Sequence, residues 1–318
     1  MTRSLELHYY FANETHHSMN AFSRNKAEAE LLAVLKRSAE LLDISLSLEA
    51  QALSEGGLKE IWKVIGENSL QINTLLVIVA LLLTRVPAPS DSEQDALTKQ
   101  LTKLSIDEKQ LQIEKLKHEL RETDSKKFDT KGAARIITSD AKILVRRSNF
   151  FAEITQETKI TSIGLSPFAV DGTRLIEEQS VARTDFPQFI LHSRNLDPQI
   201  IDGAEIEIVS PVLKEGRFRW KGIYAGDPIG FEMQDAEFKT QVLNEEVTFQ
   251  HGTFIECVLV ISKKLDEIGE VVVTGYAVTT VIRKFDDRQS IETRQGRTHR
   301  QAKKSRDGQG DLFSRSND

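Results

Sequence analysis

The stretch NSLQINTLLVIVALLLT, residues 68–84, decides how the rest of the chain is read. It carries no formal charge over 17 residues and holds nine consecutive apolar positions, Leu75 to Leu83. Pro87 and Pro89 follow and stop a helix. At a rise of about 1.5 Å per residue the helix is about 25 Å long, against a bilayer core of about 30 Å. A helix at the surface of a small domain keeps a polar stripe for water. Leu75 to Leu83 has none, so every side must meet lipid or protein. The spacing predicts an apolar transmembrane or oligomer-forming helix within 67–90, with Asn73, Thr74, Leu75, Val79 and Leu82 as its pore or oligomer positions and Asn73 and Thr74 lining a water-filled path. The competing expectation is a helix buried in a globular core.

On its N-terminal side, residues 1–66 read as a small βαβ-like unit. Leu5 to Phe11 has the composition of a strand. Leu31, Leu32, Val34, Leu35, Ala39, Leu41 and Leu42 recur at helical spacing, and Ile44, Leu46 and Leu48 alternate with polar residues as a second strand. Gly56 and Gly57 close the unit. On the other side, residues 91–130 hold a long charged helix, Ser92 to Glu122, and a linker. The helix has a coiled-coil tendency interrupted at Glu108 and Lys115. An apolar helix beside a long charged one predicts a homo-oligomer.

Residues 131–285 carry short β-like runs separated by Gly, Pro and Asp: Ala204 to Val209, Phe218 to Tyr224, Ile229 to Met233, Phe254 to Ser262 and Val271 to Arg283. Asp235 to Leu243 reads as one helix between them. This predicts a β-rich sensing domain. Residues 286–318 are polar and poor in aromatics, and are expected to form a disordered basic tail. The fold class is α+β.

The chain has 318 residues and a formal charge of −6, too mild to name a partner by itself. The charge is segregated: from Arg283 to Asp318 there are ten basic and six acidic residues. The single cysteine, Cys257, sits in an apolar run and is expected to be a buried, inert thiol. Met1 to Phe11 develops no signal-peptide h-region, which places the N-terminus in the cytoplasm as an expectation.

The seven histidines show no metal-ligand spacing, and phosphate-loop, dinucleotide and nucleophile-elbow motifs are absent from the sequence. No catalytic residue, metal or cofactor is nominated, and the chain is read as a non-enzyme. One binding constellation stands out between Lys214 and Tyr224. On a strand, Arg217, Arg219 and Lys221 share one face, and Phe218, Trp220 and Tyr224 share the other. The bland reading is a solvated basic strand over a core. The sharper one is an anionic-ligand site in which Arg217, Arg219 and Lys221 meet phosphate and Trp220 or Tyr224 stacks a base. Gln309 to Phe313 resembles the peptide by which bacterial proteins dock on the DNA-polymerase sliding clamp, with Gly310 where a larger apolar residue is usual.

Tyr10-Phe11, His17-Ser18-Met19-Asn20, Asn25-Lys26 with Glu28, Glu55-Gly56-Gly57, and Arg146-Arg147-Ser148-Asn149-Phe150 together resemble a group of bacterial proteins from anti-phage loci. In plan the chain is similar to the membrane-channel effector of the Hailong defence system. That resemblance implies antiviral defence by a homo-oligomeric ion channel in the bacterial inner membrane, with soluble parts in the cytoplasm. It also implies gating by an oligonucleotide that a partner nucleotidyltransferase makes. The alternative is a cytoplasmic, oligomeric interaction protein that binds nucleic acid or a DNA-associated partner through its C-terminal region.

Overall fold

Leu5, Leu7 and Tyr9 alternate along β1 (Arg3–Phe11) with Ser4, Glu6, His8 and Tyr10, and this period of two gives the strand one buried, mainly apolar face with Arg3 at its start. The structure is a computed structural model that describes residues 3–12, 18–50, 58–85, 88, 130–214, 216, 218–287 and 289–314. The chain divides into two units, Met1–Asn195 with Leu265–Val271, and Leu196–Lys264 with Val272–Asp318.

In the first unit β1 is paired on both sides, to β3 (Leu58–Ile65) with Leu7 opposite Glu60, and to β4 (Ile160–Phe168) with Leu7 opposite Leu165. β2 (Ser47–Ala50) and β5 (Gln179–Ala182) form the edges, so the order is β2-β3-β1-β4-β5 and every pairing is antiparallel. The path β1, α1 (Ala21–Leu41), β2, β3, α2 (Ser69–Arg85), β4 is the split βαβ arrangement. It extends the small βαβ-like unit expected over 1–66, because β1 is an inner strand whose second partner, β4, comes from residue 160 onward. Two further helices, α3 (Thr130–Ser139) and α4 (Ala141–Gln156), precede β4. They belong to this first unit, not to a sensing domain beginning at residue 131.

α2 coincides with the uncharged stretch, but its surroundings differ from the expectation. Ile72, Leu75, Leu76, Val79, Ala80, Leu82 and Leu83 are buried within the same core as α1, α4 and the inner face of the sheet. Only Leu70 and Leu81 are exposed among its large apolar residues. Asn73 lines no water path: its Oδ1 accepts a hydrogen bond from Arg3 Nε at 3.0 Å, while Thr74 donates to Leu70 O at 2.9 Å. Leu75, Val79 and Leu82 face their own chain. Most of the apolar surface of the helix is therefore covered by its own chain. No helix among the described residues is long and apolar enough to cross a membrane. The charged helix expected over Ser92 to Glu122 lies outside the described residues.

The motif Arg146 to Phe150 turns out to hold α4 in place. Arg146 Nη1 lies 3.1 Å from both oxygens of the Glu30 carboxylate on α1. Arg147 is fully buried and donates to Leu82 O at 3.2 Å, setting a cation at the C-terminal end of α2, where free carbonyls and the helix dipole favour it. Burial still disfavours its charged form and pushes its pKa down to about 10. Ser148 Oγ accepts from Leu191 N, Asn149 donates to Glu267 O, and Phe150 packs edge-on against Phe151 in the core. Asn20 caps α1 through Phe22 N and Ser23 N. These motif residues carry architecture.

The second unit is a barrel. β6 (Asn195–Ser210), β7 (Trp220–Tyr224) and β8 (Asp227–Met233) are consecutive antiparallel neighbours. α5 (Ala236–Leu243) then leads to β9 (Phe254–Leu265) and β10 (Val271–Phe285). β10 pairs β8 in parallel and also pairs β9, which neighbours β6, so the order β6-β7-β8-β10-β9 closes on itself. Trp220, Phe231, Phe238, Ile255, Cys257, Leu259 and Val278 fill it. In the C-terminal segment, expected to lack structure, β11 (Ser290–Glu292) pairs β10, and α6 spans Arg294–Ser314. The α+β class and the β-rich C-terminal region agree with the sequence; the membrane helix finds no support in the fold.

Candidate anionic-ligand face

β7 begins at Trp220, so Arg217 and Arg219 precede the strand. Strand parity holds within it. Trp220 and Gly222 face the core, and Lys221 is exposed on the outside. Trp220 is 1% exposed and packs against Phe231, Phe238 and Phe249 at ring distances of 6.1, 6.3 and 5.4 Å. It is a core residue and is closed to ligand. Tyr224 is half-buried against the same core. Gly222 leaves room there, since a Cβ would lie 2.6 Å from Ile206 Cγ2. Arg217 lies outside the described residues.

Two of the expected ligand residues do come together. Lys221 stands opposite Gly230 on β8, and Gly275 on β10 lies level with Gly230, because Tyr276 pairs Phe231 one residue further along both strands. Arg219 extends over this glycine row. Its Cδ is 4.0 Å from where a Gly230 Cβ would sit, and one guanidinium nitrogen is 3.9 Å from the corresponding point at Gly275. Among the described residues neither Arg219 nor Lys221 forms an ion pair. The result is a low strip of sheet on which the Arg219 side chain lies, with Lys221 on the strand beside it.

Phe218 adds what parity missed. It was expected on the core face, yet it is 54% exposed, and Leu213 on the same β6–β7 loop is 69% exposed. The loop is built to present the ring. Gly216 has φ +134°, and a Cβ there would lie 2.8 Å from Phe218 Cε2, so only glycine seats the ring against the backbone. Lys239 of α5 donates to Gly216 O at 3.2 Å and ties the loop down. The signal in the sequence was Gly216 two residues before Phe218, a turn that interrupts the alternation before β7 starts. Glu207 and Glu232 lie on the neighbouring strands β6 and β8.

Two other polar clusters are centred on carboxylates that accept from their own unit. Asp235 is buried and accepts from Phe238 N at 2.9 Å, Val281 N at 2.7 Å and Gln295 Nε2 at 3.1 Å, joining α5, β10 and α6. In the first unit Tyr10 and Ser166 both donate to Glu178, whose carboxylate lies over Gly164. Partial burial and then that hydrogen bond push Tyr10 up to about 12. Cys257 is buried, and burial pushes its thiol up to about 12, leaving little thiolate at neutral pH. A groove of about 500 Å³ beside α6 is lined by Glu237, Thr280, Arg294, Gln295, Thr298 and His299. Among the described residues no cluster of His, Cys, Asp or Glu could hold a metal ion. No family model, curated protein or solved structure matches the chain.

Proposed function

We propose that the second unit is a binding module for a single-stranded oligonucleotide, held on the outer face of β7, β8 and β10. The observation that carries the proposal is an exposed ring, Phe218, on the loop that leads into β7, with Arg219 next in the chain lying over the Gly230 and Gly275 strip and Lys221 opposite Gly230. An aromatic ring stacks a base of any sequence, and the two cations hold the phosphates on either side. The connectivity supports the same choice. Five strands in the order first-second-third-fifth-fourth, with a parallel third and fifth pair and a helix before the fourth, describe an OB-type barrel. Such barrels commonly bind oligonucleotides on their second and third strands and the adjoining loops. In this role the protein acts by binding and not by catalysis. The channel part of the effector expectation is not carried forward, because the helix that prompted it is enclosed by its own chain.

The test is fluorescence anisotropy of a labelled 15-nucleotide single strand with the full chain. Combining Phe218→Ala with Arg219→Gln and Lys221→Gln is expected to weaken binding at least tenfold, given about 1–3 kcal/mol for one stacked base. Unchanged affinity in that variant overturns the proposal.

A further inference from the structure

Between Arg294 and Arg306 the chain has six lysines and arginines and no acidic residue. In a disordered tail this would be a solvated charge run. Here the segment is part of the helix α6, and its docking leaves Arg294, Arg297 and Arg300 exposed. Thr293 caps the helix by accepting from Gly296 N at 2.9 Å. Gly296 sits directly on β10: a Cβ there would lie 2.0 Å from Ile282 O. Gln295 bonds the buried Asp235. His299 and Lys303 both reach Asp202 on β6, at 2.9 and 2.6 Å. Gly296, His299 and Lys303 are spaced i, i+3, i+7 and so mark one face, which is turned to the barrel. Arg294, Arg297 and Arg300 are left exposed. Of these, only Arg300 has an acidic partner among the described residues, Glu292 at 3.2 Å on the rim.

Like charges three and four residues apart repel along a helix, so a chain that orders them on a solvent face is suited to a polyanion. Two polyanions are common, nucleic acid and an acidic bilayer. A helix that lies in a bilayer needs an apolar face, and from Arg294 to Arg306 Ala302 is the sole apolar side chain. We infer that the solvent face of α6 is a second nucleic-acid contact, an arm that grips the phosphodiester backbone through Arg294, Arg297 and Arg300. It involves none of the barrel-face residues and reads charge alone, without bases.

The full chain is titrated with a labelled 20-nucleotide single strand and with a 20-base-pair duplex across a salt series, as wild type and as the triple variant Arg294→Gln, Arg297→Gln, Arg300→Gln. Three phosphate contacts predict that the slope of log affinity against log salt falls by about 2 for the single strand and about 3 for the duplex. The two probes therefore tell which form of nucleic acid the arm holds. Arg→Lys at the same three positions is expected to restore the slope, because the contact is with charge. Circular dichroism checks that glutamine, a good helix former, leaves α6 intact. Unchanged affinity and slope in the triple glutamine variant overturn the arm. So does equal loss of binding to vesicles of phosphatidylcholine with phosphatidylglycerol, if the wild type binds those as tightly as nucleic acid. Loss in the Phe218, Arg219, Lys221 variant with no effect of the α6 variant leaves the barrel face standing and removes the arm. The reverse pattern removes the barrel face and keeps the arm.

Discussion

α2 and α6 are opposite helices by composition. One has no charge from Ser69 to Thr84 and the other has six cations from Arg294 to Arg306. Composition alone sends the first to lipid or sister chains and the second into solvent without structure. The fold does neither. α2 is wrapped by α1, α4 and the sheet of its own unit, and α6 is docked by a glycine, a glutamine and a shared aspartate. The lesson is that an apolar helix reports only that it must be covered, and a basic segment reports only that it must be hydrated or neutralised. Which atoms supply the cover is a tertiary matter.

The comparison can be broken most forcefully at α2. Leu76 is fully buried, so Leu76→Ala is expected to destabilise the first unit by about 2–5 kcal/mol in detergent-free buffer, seen as a lower denaturant midpoint with an unchanged slope. A helix covered by lipid or by other chains would show no such loss in a dilute monomer. The next effect falls at the junction that α6 depends on. Asp235→Ala leaves Phe238 N and Val281 N without their acceptor and removes the partner of Gln295. A lost cap together with a buried orphan donor predicts a cost of about 2–4 kcal/mol to the second unit. Hydrogen exchange should show α5 and α6 losing protection together; independent loss would mean that they are not joined through this carboxylate.

The smallest effect concerns the outer latch. Hydrogen bonds from Lys303 and then His299 hold the Asp202 carboxyl below its usual range. A carboxylate with a lowered folded value contributes stability above its unfolded pKa, about 3.9 for aspartate, and loses it as pH falls through the folded value. Amide protection in α6 is therefore expected to drop on acidification below about pH 4, and Asp202→Asn should remove that step. An identical acid profile in the Asn variant would show that the latch does not hold the helix.

Much of the fold was legible in particular residues. The alternation of Leu5, Leu7 and Tyr9, the helical spacing of Leu31, Val34 and Leu35, and the uncharged run of α2 each gave the correct element, because these patterns arise from backbone geometry acting within one segment. β3 was missed, since Lys59, Glu60 and Lys63 break the simple apolar alternation. At the candidate site, strand period puts Arg219 and Lys221 on one face and both are exposed, whereas Trp220, offered as a stacking platform, lies in the core. Phe218, placed on the core face, is the exposed ring. The exchange follows from one local event, the positive-φ turn at Gly216, which resets the alternation just before the strand begins.

By itself, the sequence determined the α+β class, the position of α2, the β-rich character of the C-terminal half and the concentration of cations near its end. Those properties depend on interactions a few residues apart. Only the tertiary structure decided that α2 is covered largely by its own chain, that β1 takes its second partner from residue 160 onward, that the barrel closes, and that α6 leaves Arg294, Arg297 and Arg300 exposed. Each of these is a choice of partner across a hundred residues or more, or across a shared core, and no local period encodes it.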